Sequence, residues 1–238
     1  MGTQLFWGLI RVMIFEAFYR SSAAAHPMEV DEVTTYVWLG QAFLALLPWN
    51  LDLNLRNQIR TGGVGYELVR PVDLYAYWFS RSLAWRTAPT LLRAPLLIIF
   101  AFIIMDMHTP ASWGSAGAFI TAMAGAVLLS AALSTLFNIT ILWTLSADGM
   151  LGLAPAVVTI LSGMIVPIPL YPDWAQTILN FLPFRGLVDT PYRLYLGHIP
   201  PGDLPMLLAH QLAWTVAIIL FGRWALSRGL RRVVIQGG

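Results

Sequence analysis

The chain has 238 residues, of which 58% are hydrophobic and only 11% are charged, whereas a soluble domain carries about 25% charged residues. Its net charge of +2 is small and its basic residues are spread out, so nucleic acid is not an expected partner. All 14 basic residues are arginines and cysteine is absent. Without lysine the sequence cannot form a nucleotide-binding P-loop, which needs a lysine on the phosphates. Without cysteine it cannot form disulfides or use thiolate chemistry.

Apolar stretches of helix length recur along the whole chain. They predict an all-α integral membrane protein in which residues 1–238 form a single transmembrane domain of about six helices in the lipid bilayer. The first predicted span covers residues 5–18 and contains Arg11, a candidate intramembrane charge. Packing or pairing of Arg11 inside the bundle is the alternative to contact with a substrate. Residues 21–35 predict a polar loop, and residues 36–53 predict the second span.

The most polar stretch of the chain, residues 53–73, follows the second span. Its glycines break regular structure, and its proline forces an extended residue before it. Because the stretch mixes charged and apolar side chains, it suits docking to a soluble partner, although an ordinary cytoplasmic loop is the alternative. The candidate docking residues are Arg56, Arg60, Gly62, Gly63, Tyr66, Glu67, Arg70 and Pro71.

The third predicted helix, residues 74–107, would be about 50 Å long, against a hydrocarbon core of about 30 Å. Its first part, with Arg81 and Arg86, is expected at the membrane interface. Arg93 follows Arg86 by seven residues and shares its helical face. Arg93 is therefore the second candidate intramembrane charge, with snorkelling to the cytoplasmic surface as the alternative.

The fourth predicted span, residues 114–145, carries small residues at every fourth position. Gly117, Thr121 and Gly125 form one such series, and alanines form another. This spacing lets helix backbones approach closely in lipid. A tight turn at residues 146–149 leads to the fifth predicted span, residues 150–166.

Three prolines between residues 167 and 172 predict an abrupt end to the fifth span. Asp173 is expected to cap an amphipathic helix that reaches residue 184, and residues 185–205 to be irregular. About 12 apolar-patterned residues follow the prolines, whereas a transmembrane helix needs about 20. Residues 167–205 therefore predict an outer re-entrant element before the sixth span, residues 206–226.

The arginines predict the orientation. Ten of the 14 fall in residues 53–93 and 223–232, so these regions and both termini are expected to be cytoplasmic. The four histidines are scattered without metal-binding spacing. No catalytic, cofactor-binding or metal-binding residues are predicted, and an embedded enzyme is poorly supported.

Two short motifs resemble the membrane subunits of bacterial type-2 ABC exporters. Residues 61–71 read TGGVGYELVRP, which is similar to the family signature sG-x-x-x-x-L-x-rP. Leu182-Pro183-Phe184, followed by Pro191 and Gly197, is similar to the family's lPf…P…G. The order of the predicted segments and the number of spans are similar to those of the family over nearly the whole chain. One departure is that almost nothing precedes the first span, so the chain is expected to begin late or to lack the family's interface helix.

The resemblance implies a location in a bacterial inner membrane. It also implies a fold of six helices with a broken outer re-entrant element. It implies a coupling helix between the second and third spans, seated in a groove of a separate P-loop ATPase subunit. The turn at residues 146–149, with Asp148, would make a second, smaller contact. A second permease copy or a paralogue would complete the pathway, and ATP and Mg²⁺ would bind to the partner ATPase.

The expected function is that of the permease subunit of an ATP-driven ABC exporter, active in efflux. The alternative is a membrane scaffold or assembly protein that binds a cytoplasmic partner without transport. The substrate is not identified by any motif, although an apolar, aromatic-rich cavity would suit lipophilic molecules.

Overall fold

A computed structural model describes residues 2–21, 26–49, 52–61, 63, 65, 71–142 and 148–231. Within these ranges all regular secondary structure is helical, which confirms the predicted all-α class. The α-helices with described bounds are α1 (Gly2–Ser21), α2 (Val30–Ala42), α3 (Leu53–Arg60), α4 (Leu74–Ile104), α5 (Trp113–Thr140), α6 (Asp148–Leu161), α7 (Asp173–Phe181), α8 (Asp189–Leu196) and α9 (Leu204–Leu230). Short 3-10 helices cover Leu44–Leu46, Ile168–Leu170, Pro183–Leu187 and Pro201–Asp203.

Helix α5 lies at the centre of the bundle and packs against α4, α8 and α9. Ala118, Ala122 and Ala126 are all buried along it, because small side chains let the neighbouring helices come close. Gly125 faces α9, where a Cβ atom would collide with the amide of Gln211. Gly117 lies on an exposed part of the same helix. The predicted packing role therefore belongs to the alanine series and to Gly125.

Three described helices are long and apolar enough to cross a membrane, judged by length and composition. They are α4, α5, and α9 together with the turn before it, Pro201–Leu230. The chain is thus a multi-pass membrane protein. Helices α2 and α6 have only 13 and 14 residues, or about 20 Å each at 1.5 Å per residue. The count of six spans is not confirmed and stays a prediction.

The second predicted span is not one continuous helix. Helix α2 begins at Val30, inside the predicted polar loop, because Glu29 and Glu32 cap each other's backbone. The backbone N–H of Glu29 donates to Oε2 of Glu32 at 2.8 Å. The helix ends at Ala42, and the chain continues through the 3-10 helix Leu44–Leu46 towards α3.

Other boundaries also differ from the sequence prediction. Helix α6 starts at Asp148, so the predicted turn at residues 146–149 ends in helix; residues 143–147 lie outside the described ranges. The same helix stops at Leu161, before the prolines, and Gly163 follows with φ of 83°. That left-handed backbone is readily accessible to glycine and ends the helix earlier than proline would.

The segment between α6 and α9 contains more helix than the sequence predicts. Pro172, not Asp173, is the N-cap of α7, and Asp173 is the first helical residue. Helix α8 lies inside residues 185–205, for which the sequence predicts irregular structure. It ends where Gly197 adopts φ of 82°, a C-terminal cap that glycine accommodates without strain.

Polar contacts mark the two ends of the bundle. At the α3 end, Arg223 Nη1 lies 3.0 Å from Asp73 Oδ2. A hydrogen bond from the Ala76 backbone lowers the pKa of the Asp73 carboxyl, and Arg223 lowers it further. At the opposite end, His198 Nε2 lies 2.9 Å from Glu32 Oε1.

We expect Gly125→Leu to lower the free energy of unfolding by about 1–3 kcal/mol, because overpacking forces side chains and backbone to shift. The new side chain would displace Gln211 from the contact between α5 and α9. Gly117→Leu on the same helix is the matched control, since no atom lies within 4 Å of the position that its Cβ would take. Thermal unfolding in detergent measures both variants. Equal melting temperatures would contradict the assigned contact.

Candidate functional site

Helix α3 lies at the start of the predicted docking segment, residues 53–73, and Asp52 caps its N-terminus. The Oδ1 atom of Asp52 accepts hydrogen bonds from the backbone N–H groups of Asn54 at 3.0 Å and Leu55 at 3.1 Å. This is the arrangement of a helix N-cap. The backbone N–H of Asp52 donates to Asn138 Oδ1 at 3.2 Å. The cap therefore also ties α3 to the end of α5.

An ion pair and an apolar cluster complete the attachment of α3. Arg81 Nη2 donates to Asp52 Oδ1 at 2.9 Å, and Arg81 Nε contacts the second carboxylate oxygen. Leu55 is 1% exposed and packs in a cluster built from α4, the end of α5 and α9. Since tightly packed interiors transmit strain, a displacement of α3 would be passed to all three long helices.

The predicted docking residues are only partly within the described structure. Arg56 and Arg60 lie on α3, and Asp148 is the first residue of α6, but their side chains lie outside what is described. Pro71 is exposed and Gly63 is half-buried. The docking residues that lie wholly outside the described ranges are Gly62, Tyr66, Glu67 and Arg70.

Sequence reasoning missed Asp52, Arg81 and Asn138 as parts of this site. Asp52 carried a usable signal, because aspartate immediately before an amphipathic stretch is a typical N-cap. Asn138 carried none, since its role depends on an 86-residue separation from Asp52.

Arg86 is the buried arginine of α4, and its predicted position at the membrane interface stays a prediction. Its side chain is 7% exposed. Arg86 Nη1 donates to the carbonyl of Leu47 at 2.7 Å, and its Nε donates to Ser134 Oγ at 3.1 Å. Ser130 Oγ donates to the neighbouring carbonyl of Leu46. These bonds hold the chain after α2, at Leu46 and Leu47, against α4 and α5.

Arg93 occupies a different environment although it is on the same helix. It is exposed, whereas the next residue, Ala94, takes the buried position and is 3% exposed. The shared helical face predicted for Arg86 and Arg93 therefore does not give them a shared environment. A functional role for Arg93 stays a prediction.

Arg11 is half-buried in α1 and, like Arg86, binds the backbone at a point where the chain has left an α-helix. Its Nη1 donates to the carbonyl of Met164 at 3.0 Å. Met164 directly follows Gly163, where the chain has left α6. Arg11 thus resembles Arg86 in its structural role, because each arginine binds a carbonyl of non-helical chain. A role for Arg11 as a functional intramembrane charge stays a prediction.

Asp189 holds together the segment between α6 and α8. Its Oδ1 accepts hydrogen bonds from the backbone N–H of Ile168 at 3.0 Å and from the Tyr36 hydroxyl at 3.3 Å. Its backbone N–H donates to Ser162 O at 3.2 Å, and Arg193 Nη1 lies 3.5 Å from Oδ2. Burial raises the pKa of the Asp189 carboxyl, while Arg193 opposes that shift. Sequence reasoning did not single out this residue.

An apolar groove lies where α5, α6 and α9 meet. Its volume is about 350 Å³, within the usual range of about 300–1,000 Å³ for ligand pockets. Phe137, Leu153, Val157, Phe184 and Phe221 are among its lining residues. No group of three or more histidine or carboxylate side chains that could hold a metal occurs in the described part of the chain.

Comparison with known proteins identifies the family of this sequence. The family model described as "ABC-2 family transporter protein" matches residues 5–237. The match therefore includes residues 53–73 and nearly all of the described helices. No curated protein and no solved structure matches the chain.

We expect Arg86→Gln to lower the free energy of unfolding by about 1–3 kcal/mol, because buried polar partners lose their hydrogen bonds. Arg93→Gln on the same helix removes the same charge from an exposed position and is expected to have little effect. Thermal unfolding in detergent compares the two variants. An Arg86→Gln protein as stable as the Arg93→Gln protein would show that the bonds to Leu47 and Ser134 do not support the fold.

Proposed function

The chain belongs to the ABC-2 transporter family, and on this premise we propose that it is the permease subunit of an ATP-driven ABC exporter. The observation that carries the proposal is the attachment of α3. This amphipathic helix sits on the ends of α4, α5 and α9 through Asp52, Arg81 and Leu55. A helix attached in this way can receive a movement from outside the bundle and pass it inwards.

The energy source is a separate subunit in this proposal. The chain contains no lysine, so it cannot supply the P-loop lysine that binds nucleotide phosphates. A P-loop ATPase would bind residues 53–73 and contact Asp148, and ATP and Mg²⁺ would bind to that partner. No catalytic role is assigned to the permease itself. A scaffold without transport activity would also bind a partner, but its partner's ATP hydrolysis would not be linked to substrate movement.

Transport would proceed along a pathway between this permease and a second copy or a paralogue. The apolar groove between α5, α6 and α9 supports this part of the proposal, since Leu153 and Phe221 are exposed on one copy. An apolar surface containing aromatic rings suits a lipophilic substrate. Efflux is the direction that the family resemblance implies.

The proposed topology has six crossings and an outer re-entrant element. The path from Val30 to Asp52 supports one broken crossing, because it begins near the opposite end and finishes at the α3 end. The 3-10 helix Pro183–Leu187 supports the re-entrant element. Its Gly186 carbonyl binds Gln211, which lies about 10 Å along α9 from Leu204 at 1.5 Å per residue.

We expect the double variant Glu67→Arg with Arg70→Glu to lose its ATPase partner, because charge reversal at a desolvated contact costs several kcal/mol. Affinity purification from the native host, followed by assay of substrate-linked ATP hydrolysis, measures the loss. The double variant Asp173→Arg with Arg20→Glu changes the same charges at the opposite end and should retain the partner. If the first variant recovered its ATPase partner and supported ATP hydrolysis as the wild type does, Glu67 and Arg70 would not belong to the docking surface.

We expect the α3 end to be cytoplasmic and the opposite end to face outwards. The chain has no cysteine, so single cysteines introduced as Thr61→Cys and Gly202→Cys report on one position each. Both positions are exposed, and no atom lies within 4 Å of a Cβ at Gly202. A membrane-impermeant maleimide should label only Gly202→Cys in intact cells. The reverse pattern would invert the topology.

A further inference from the structure

A second pocket lies between α1 and α2, apart from the apolar groove and from the attachment of α3. Its volume is about 440 Å³, which falls in the usual size range of about 300–1,000 Å³ for small-molecule sites. Trp7 and Trp49 stand at its edge and are 54% and 40% exposed. The pocket therefore opens towards the surroundings of the bundle between two indole rings.

Besides Thr3, three polar side chains line this pocket in an otherwise apolar part of the protein. They are Gln4 and Arg11 of α1 and Gln41 of α2. Gln41 is only 2% exposed, and its Oε1 has no hydrogen-bond partner within the described structure. The Oε1 of Gln4 is also buried without a described partner. A buried acceptor without a donor is costly, so these two oxygens point to a missing donor group.

Arg11 supplies positive charge that the described part of the chain does not neutralise. One of its N–H groups donates to the carbonyl of Met164, while a guanidinium has five N–H donors. No described carboxylate lies within ion-pair distance of it, and Glu16 on the same helix pairs with Arg20 instead, at 3.6 Å. A half-buried guanidinium without a counter-ion favours an anionic ligand.

Gly8 is the residue that brings these groups together. It is the buried position of α1, and a Cβ there would lie 2.7 Å from the ring of Trp38 and 3.2 Å from Cγ of Gln41. Only the absence of a side chain allows α1 to approach α2 this closely. The close approach puts Gln41 beside the face of α1 that carries Gln4 and Arg11.

We propose that this pocket binds an amphiphile whose anionic headgroup also carries hydroxyl groups, as a phosphatidylglycerol does. Arg11 binds the phosphate, and the hydroxyls donate to the amide oxygens of Gln4 and Gln41. The apolar part of the ligand leaves the pocket past Trp7 and Trp49, since indole rings favour the boundary between polar and apolar surroundings. The site goes beyond the proposed export function and does not require an ATPase.

A carboxylate from a second copy is a poorer match for Arg11. The sequence has no carboxylate between Asp73 and Asp106, between Asp106 and Asp148, or after Asp203. The long helices of another copy would therefore present none along their lengths. Asp189 is buried and already holds several partners.

Native mass spectrometry of the purified full chain tests the site by titration with three lipids. Phosphatidylglycerol has both a net negative charge and hydroxyls, phosphatidic acid has a net negative charge without the glycerol hydroxyls, and the zwitterionic phosphatidylcholine has no net charge and no hydroxyls. We expect binding to weaken in that order, with about tenfold between the first and the last, as one charge-assisted contact would give. Arg11→Gln should abolish the preference for anionic lipids. Gln41→Leu should abolish only the preference for phosphatidylglycerol over phosphatidic acid.

The controls distinguish binding in this pocket from a general attraction between the positive charges of the protein and anionic lipids. Arg20→Gln removes the same charge from the same helix at an exposed position and should leave the lipid order unchanged, while Arg11→Lys should keep the anionic preference. Melting temperatures show whether each variant is folded. Water-soluble glycerol phosphate should not displace the lipid, and displacement would show that the site takes the free anion. The proposal would be overturned if Arg11→Gln and Arg20→Gln lost the preference for anionic lipids equally. It would also be overturned if the wild type showed no such preference.

Discussion

The structure depends on one constraint, which is that backbone polar groups inside a membrane protein need partners within the protein. A continuous α-helix meets this need by itself, but this chain leaves α-helical structure after α2 and again after α6. Side chains take over at both breaks. Arg86 binds the carbonyl of Leu47, and Arg11 binds that of Met164. Asp189 accepts from the backbone of Ile168. These polar residues thus lie where they can bind backbone groups that no α-helix pairs.

These bonds also lie next to the regions for which functions are proposed. The chain between the 3-10 helix Leu44–Leu46 and Asp52 contributes Trp49 to the pocket between α1 and α2. The same stretch ends at the residue that caps α3 and pairs with Arg81. A ligand beside Trp49 and a partner on α3 would therefore act on one short piece of chain. Next to this stretch, Ser130 of α5 and Arg86 of α4 bind the carbonyls of Leu46 and Leu47.

Much of the fold could be predicted from composition and pattern. Hydrophobic length identified α4, α5 and α9, since a 27-residue or longer apolar helix has few alternatives to a membrane. Local rules failed where two short-range signals competed. The reciprocal cap of Glu29 and Glu32 started α2 inside a predicted loop, and Gly163 ended α6 ahead of Pro167.

The sequence by itself determined that the chain is helical, lies in a membrane and cannot bind nucleotide through a P-loop, because these properties follow from composition and the absence of lysine. Only the tertiary structure decided what each buried polar residue does. Arg86 and Arg93 share a helix and a helical face, yet only Arg86 is buried. The difference arises because its partners, Leu47 and Ser134, are 39 and 48 residues away in sequence. Contacts over such separations leave no periodic pattern in the sequence, so they exist only once the helices have packed.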